Sequence, residues 1–350
     1  MTMTMPPSPP DAAHRPAGAD PAAAALPAPP ESSQPILAGA VRPATDPWPP
    51  LLAELADELA ALPHAVGPDS GVEGRLRSLH QRAATLLDEQ ADAALYWLIL
   101  RASHEPANYS DRHAWLCWWV ARETFARLGG SPAQGEALAL AALTMNCTLR
   151  TLQDRLAQND TPPSVAEQAR IDTHAVAAAH TLAAAGVGDA LWLAIVRHHH
   201  DEAPDALPLM RLPPEAAAAR LLRRVDRFAA ALACRADRPP LSPVLAARTA
   251  CRGADGTVDE IGHAMIGALG LYPPGSPVRL ASGERGVVVG RGLRANLPRV
   301  AVVVDAQGSA LLQPQLRDTG EPDYAVRGSL DADDSPLPLV VSHAQLLQLR

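Results

Sequence analysis

From Pro49 onward the apolar positions of this chain fall at helical spacing. Leu51, Leu52, Leu55, Leu59 and Leu62 recur every three or four residues, as on one face of a helix. Gly71–Ser103 continues the pattern as one long helix or two, with Leu76, Leu79, Ala83, Leu86, Leu87 and Leu95 on its apolar side. From Ser110 to about Leu271 the helical reading persists. It is broken at Gly129-Gly130, Pro162-Pro163, Gly186, Pro204–Pro214 and Pro239–Pro243, which predicts a bundle of about five to seven helices. After Tyr272-Pro273-Pro274-Gly275 the pattern changes. Val278–Leu280, Gly286–Val289 and Val300–Val304 are short and rich in valine, and glycine-bearing turns separate them, as in a small antiparallel sheet. Thr319–Pro338 reads as loop and Val340–Leu349 as a strand or a short helix. No internal repeat is visible.

The first 46 residues differ from all of this. They are Pro/Ala/Ser-rich and too poor in apolar side chains to support a core, so they read as a disordered tail rather than an SH3-type ligand. Met1–Pro30 lacks a charged segment followed by an apolar one and so does not read as a secretory signal. The division is then a tail over residues 1–46, an N-terminal helical region over 47–108, a helical domain over 109–271 and a small β-rich region over 272–350.

Composition sharpens the picture in three places. Aromatics are only 3% of the chain while apolar residues make up 47%, so Ala, Leu and Val carry the packing, which favours helix. All 30 basic residues are arginine, and the net charge of −8 argues against a general nucleic-acid binder. Cys117, Cys147, Cys234 and Cys251 form no CxxC pair and read as reduced thiols of a cytoplasmic protein. No apolar run approaches the ~18–20 residues of a membrane span.

The candidate chemistry lies in an ordered histidine series: His113, His174, the triplet His198-His199-His200, and then Asp226 in the stretch Ala216–Ala233. Imidazoles and a carboxylate gathered from separate helices are what a metal-dependent hydrolase uses. Any one of these histidines alone is more readily explained as an ordinary core or surface residue. The Trp115/Trp118/Trp119 cluster reads as core rather than as a base-stacking platform, and Arg220–Arg227 reads as a solvated helix face.

In order and type the series resembles the HD-GYP family, bacterial phosphodiesterases acting on cyclic di-GMP. The resemblance runs from about Tyr109 to Gly308. It rests on Tyr109-Ser110-Asp111-Arg112-His113, Ala141-Ala142-Leu143, Ile171–His174, His199-His200, Val225-Asp226-Arg227-Phe228 with Arg235, and Gly270–Leu280 with Gly283-Glu284 and Val287–Val289. It implies a helical bundle of HD-domain type with a β-rich appendage. It also implies metal ligands at His113, His174, His199, His200 and Asp226, with the register of the histidine pair open by one position. The chain departs from the family where the chemistry is most demanding. The name-giving His-Asp pair falls on Met145-Asn146, a lysine thought to assist at the phosphate falls on Leu149, and a glutamate of some members falls on Tyr109. The Pro-rich Asp201–Pro214 replaces the GYP loop.

The missing aspartate is the carboxylate that would bridge two cations, and a methionine thioether is a poor ligand for Fe, Mn or Mg. The expectation is therefore either one divalent ion (Fe, Mn or Zn), held mainly by imidazoles with help from Asp201 or Glu202, or none. The leading functional reading is a catalytically degenerate HD-GYP-like signalling module that binds cyclic di-GMP or another signalling protein. The alternative is a divergent metal-dependent phosphohydrolase with a rebuilt mononuclear site. The Pro49–Ser103 helices are the expected surface for a homodimer, and the catalytic residues stay unassigned.

Overall fold

The computed structural model describes residues 46–202, 207–253, 255–330 and 337–349. The tail expected over residues 1–46 therefore lies outside the described residues, except for Asp46. The described residues belong to one compact unit. It is mainly helical and carries a small antiparallel sheet near its C-terminal end.

Three helices open the described chain: α1 (Trp48–Ala61), α2 (Val72–Asp88) and α3 (Ala91–His104). The predicted stripe of α1 is the buried one, with Leu51, Leu55 and Leu59 in the core. Along α2, Leu76, Leu79, Ala83 and Leu87 are buried, but Leu86 is 52% exposed and belongs to the other face. Full burial of each such leucine contributes about 1.5–3 kcal/mol relative to an exposed one. These helices share their core with the bundle. Trp48 packs on Trp115, with ring centroids 5.3 Å apart, and Trp115 Nε1 donates to the Leu51 carbonyl.

The centre of the bundle is α4 (Tyr109–Arg127), buried on every side from Tyr109 to Ala121. A helix sealed all round belongs at the middle of a core. It touches α3, α1 and, further along the chain, α5 (Pro132–Thr144), α6 (Arg150–Gln158), α9 (Pro214–Leu232) and α11 (Glu260–Leu269). Trp115, Trp118 and Trp119 are all buried, as expected of core residues. The bundle is completed by α7 (Val165–Ala184), α8 (Ala190–His198) and α10 (Pro243–Ala250). Ser131 and Ser164 start α5 and α7 with capping boxes to Gln134 and Glu167. Between α7 and α8, Gly186 has φ +94°, and a Cβ there would lie 2.2 Å from the Gly67 carbonyl oxygen, so only glycine allows this approach.

Eight helices therefore run from α4 to α11 among the described residues, more than the five to seven predicted. The α5–α6 break was missed because Met145–Leu149 turns without glycine or proline. The sheet has the order β4-β3-β2-β1-β5 and is antiparallel throughout: β1 (Pro277–Leu280), β2 (Arg285–Gly290), β3 (Arg299–Val304), β4 (Ala310–Asp318) and β5 (Val326–Ser329). The last two correct the prediction, since β5 lies inside the stretch read as loop. Both are edge strands with exposed or half-exposed positions, and β4 carries Pro314, a residue that edges tolerate. Val287, Val289, Ala301 and Val303 pack against Ala93 and Tyr96 of α3 and against Leu346 and Leu347 of α12 (His343–Leu347), which settles the C-terminal stretch as a short helix.

The arginine row of α9 is a further correction. Arg220, Arg223 and Arg224 are buried rather than solvated, and only Arg227 faces out. Arg220 and Arg224 both pair with Asp259, at 2.8 and 2.6 Å, and Arg223 donates to the Asp201 carbonyl at 2.8 Å. No helix among the described residues is long and apolar enough to cross a membrane.

Candidate metal centre

The expected site residues come from four helices and one turn, and they meet at a cleft of about 350 Å³. Its walls include Tyr109, His113, Asn146, Leu149, His174, His200, Asp226 and Arg235. Helix α4 presents Tyr109, His113 and Cys117 at four-residue intervals, hence on one face. Helix α9 brings Asp226, α7 brings His174, and the C-terminal end of α8 brings His199 and His200.

The histidine triplet resolves cleanly. His198 Nδ1 contacts Asp201 Oδ2 at 2.8 Å, and both side chains are largely exposed. His199 is fully buried, and His200 turns inward toward His174. The pair that faces the site is therefore His199-His200. Asp201 is engaged with His198 on the outside and Glu202 is exposed, so the expectation that either would complete the ligand set is not met.

The chemistry of the cluster is set by where its ring protons lie. A carbonyl oxygen can only accept, so His174 Nδ1, 2.6 Å from the Ile171 carbonyl, must carry the hydrogen. The same holds for His199 Nδ1, 2.7 Å from the Val196 carbonyl. In each neutral ring the lone pair then sits on Nε2. Those two lone pairs face each other across 3.3 Å, and His200 Nε2 stands 3.2 Å from His174 Nε2. Protonation is a poor remedy. Burial pushes His174 below the ordinary histidine range, and burial followed by the neighbouring His200 takes His199 down to about 3. Three Nε2 atoms that converge around two facing lone pairs form a group that could hold a cation. The backbone carbonyls behind two of them play the orienting part usual for metal-bound imidazoles.

The other half is organised differently. His113 Nε2–H donates to Asp226 Oδ1 at 2.8 Å. Tyr109 stacks on the His113 ring at 5.4 Å, and Cys117 Sγ lies 3.5 Å from His113 Nε2. Burial would raise the Asp226 pKa, but the hydrogen bond and charge of His113, together with His199 and His200, outweigh it and hold the carboxyl below the usual range. Burial moves the Cys117 thiol well up. His113, Cys117 and Asp226 thus form a second group with metal-binding atoms, closed on itself by an internal hydrogen bond. Cys117 was missed in the sequence, where its only signal was the four-residue step from His113.

Met145 and Asn146 separate at the end of α5. Met145 is 1% exposed and packs in the main core, whereas Asn146 lines the cleft. Leu149 and Tyr109 also line it, so the cleft wall is neutral where the resemblance implies charge. Asn146→Asp is expected to tighten the binding of Zn²⁺ at least about tenfold by adding a carboxylate to that wall. Competition against a chelating dye measures this. Unchanged affinity would show that Asn146 does not reach the cation.

Set against protein-family models, curated proteins and solved structures, the chain matches none.

Proposed function

We propose that the chain is a catalytically degenerate protein of the HD-GYP type. In this reading it holds one divalent cation on His174, His199 and His200 and serves as a binding module for cyclic di-GMP or another signalling partner rather than as a phosphodiesterase. The observation that carries the reading is the pair of Nε2 lone pairs facing each other at 3.3 Å, because both rings commit their hydrogens to backbone carbonyls. Neutral imidazoles suit zinc or iron better than manganese or magnesium.

The other half of the site opposes turnover. Two-metal hydrolysis needs a bridging carboxylate and a second cation. Asn146 supplies no charge, Met145 packs in the core, and Asp226 is committed to His113. A second reading, a mononuclear phosphohydrolase, is favoured by one feature: three imidazoles leave a coordination position open onto the cleft.

Elemental analysis of untagged protein purified without chelator tests the proposal, combined with incubation of that protein with cyclic di-GMP. The expected result is one equivalent of Zn or Fe per chain, saturable nucleotide binding and no linear dinucleotide formed. Metal-free protein would remove the cation from the reading. Turnover would replace the binding module with the phosphohydrolase.

A further inference from the structure

Helix α12 is only five residues long, too short to persist without docking. Its fully buried Leu346 and Leu347 press into an apolar surface made by Ala93 and Tyr96 of α3, Val287 and Val289 of β2, and Val303 and Val304 of β3. At its first residue a polar contact joins this apolar one. The Tyr96 hydroxyl lies 2.6 Å from His343 Nδ1. The His343 ring packs 5.7 Å from the Tyr96 ring and 6.1 Å from that of Trp97.

The direction of that hydrogen bond fixes the state of the ring. Burial pushes the Tyr96 phenol up from its ordinary value, so it keeps its hydrogen. Its hydroxyl has no other hydrogen-bond partner among the described residues, so it donates to His343 Nδ1 and the neutral ring carries its own hydrogen on Nε2. A second proton on His343 has to go to Nδ1, the atom that already accepts. The buried phenol would then have to turn its hydrogen toward apolar surroundings, which is costly. Nothing around the ring offsets the added charge. Helix α3 contributes one further titratable group, His104, which opposes a cation, while β2 and β3 present valines. Burial first, and then His104, hold the His343 ring below the ordinary histidine value.

We infer that α12 is a pH-sensitive latch, docked on α3 and the sheet while His343 is neutral and released when that ring takes up a proton. In the released form the ring returns to the ordinary histidine value of about 6.5. That form then binds the proton more readily than the docked one, so acid shifts the balance toward it. The latch is strongest above that value and weakens as the pH falls below it. Release uncovers the valines of β2 and β3 that Leu346 and Leu347 cover. His343 is not among the residues of the histidine cleft, so the latch does not depend on a cation there.

Hydrogen exchange of the full chain, resolved by segment and corrected for the intrinsic effect of pH on the rate, tests this. From about pH 7.5 to about pH 5.5, protection over residues 337–349 is expected to fall at least about threefold and at most about tenfold, the range open to one histidine of ordinary value in the released form. Helix α4 should keep its protection. The buried His174 and His199 also resist a proton, but their effect would appear at α7 and α8. His343→Gln keeps an acceptor for the Tyr96 hydroxyl and does not titrate, so its segment should stay protected at both pH values. The inference is overturned if residues 337–349 of the wild type exchange alike at both, or if His343→Gln keeps the wild-type response. A variant unprotected at both would also overturn it, because the packing of the ring rather than its charge would then hold α12. So would loss of protection in α4 in step with residues 337–349, because acid would then be unfolding the whole bundle.

Discussion

Asp259→Ala is expected to lower stability by about 1–3 kcal/mol, the cost of leaving the buried Arg224 guanidinium short of its acceptor. The carboxylate does three jobs at once. It accepts from Arg220 Nη2 at 2.8 Å and from Arg224 Nη2 at 2.6 Å, and it caps α11 through the Gly262 amide at 2.9 Å. Burial alone would raise its pKa, yet the amide and the guanidinium of Arg224 hold it below the usual carboxylate range. Without it, the buried Arg224 keeps, among the described residues, the Ala250 carbonyl at 3.3 Å. Asp259→Asn retains an acceptor for Gly262 but loses the charge, so its loss should fall between zero and that of the alanine variant. Urea denaturation gives both values from the shift in midpoint at constant slope. An alanine variant within about 0.5 kcal/mol of wild type would mean that the clamp contributes no more than an ordinary surface pair.

That clamp also bears on the site. Helix α9 carries Asp226 at the cleft and is tied through Arg220 and Arg224 to Asp259, so Asp259 helps to fix the helix that presents Asp226. Arg223 extends the same row to the Asp201 carbonyl, one residue beyond His200. The charged stretch that reads as a solvated face in sequence is thus a support for two of the site residues. Periodicity could not reveal this, because arginine at a helical step looks the same whether it meets water or a half-buried carboxylate.

Legibility in the sequence divides along the same line. Helix ends marked by glycine or proline were legible, because these residues act on the backbone locally. The leucine stripes of α1 and α2 were legible for the same reason, with Leu86 the exception. Met145–Leu149 was not legible as a turn, since nothing in its local chemistry forbids helix; its shape comes from packing in the bundle. The edge strand β4 was hidden by its polar, proline-bearing sequence, because a strand paired on one side does not need an alternating apolar pattern. In the site, the order of His113, His174, the histidine pair and Asp226 could be read directly. That the pair is His199-His200 and that Cys117 lies beside His113 are facts of helix phase, set only once α4 and α8 are packed. Met145 and Asn146 are neighbours in sequence but face the core and the cleft, so the two replacements have different consequences.

His199→Ala is expected to abolish stoichiometric metal, with the content falling from one equivalent per chain to below about a tenth of that, since two imidazoles alone form a much weaker site. Of the three proposed ligands His199 is the most completely buried, and its Nδ1 is fixed by the Val196 carbonyl. Its removal also leaves a void, so lost metal alone could reflect a disturbed fold. His200→Ala separates the two causes, because His200 is exposed on its outer side and its truncation leaves the core intact. Both variants should lose metal, while only His199→Ala should lose intrinsic stability in the presence of chelator. A cation bound at 100 times its dissociation constant stabilises the wild type by about 2.7 kcal/mol. Adding chelator should therefore lower the melting temperature of the wild type and leave that of both variants unmoved. A wild type indifferent to chelator, or a His200→Ala variant that keeps its metal, would break the assignment. The facing Nε2 lone pairs of His174 and His199 would then have to be reconciled by protonation, which the burial of both rings opposes.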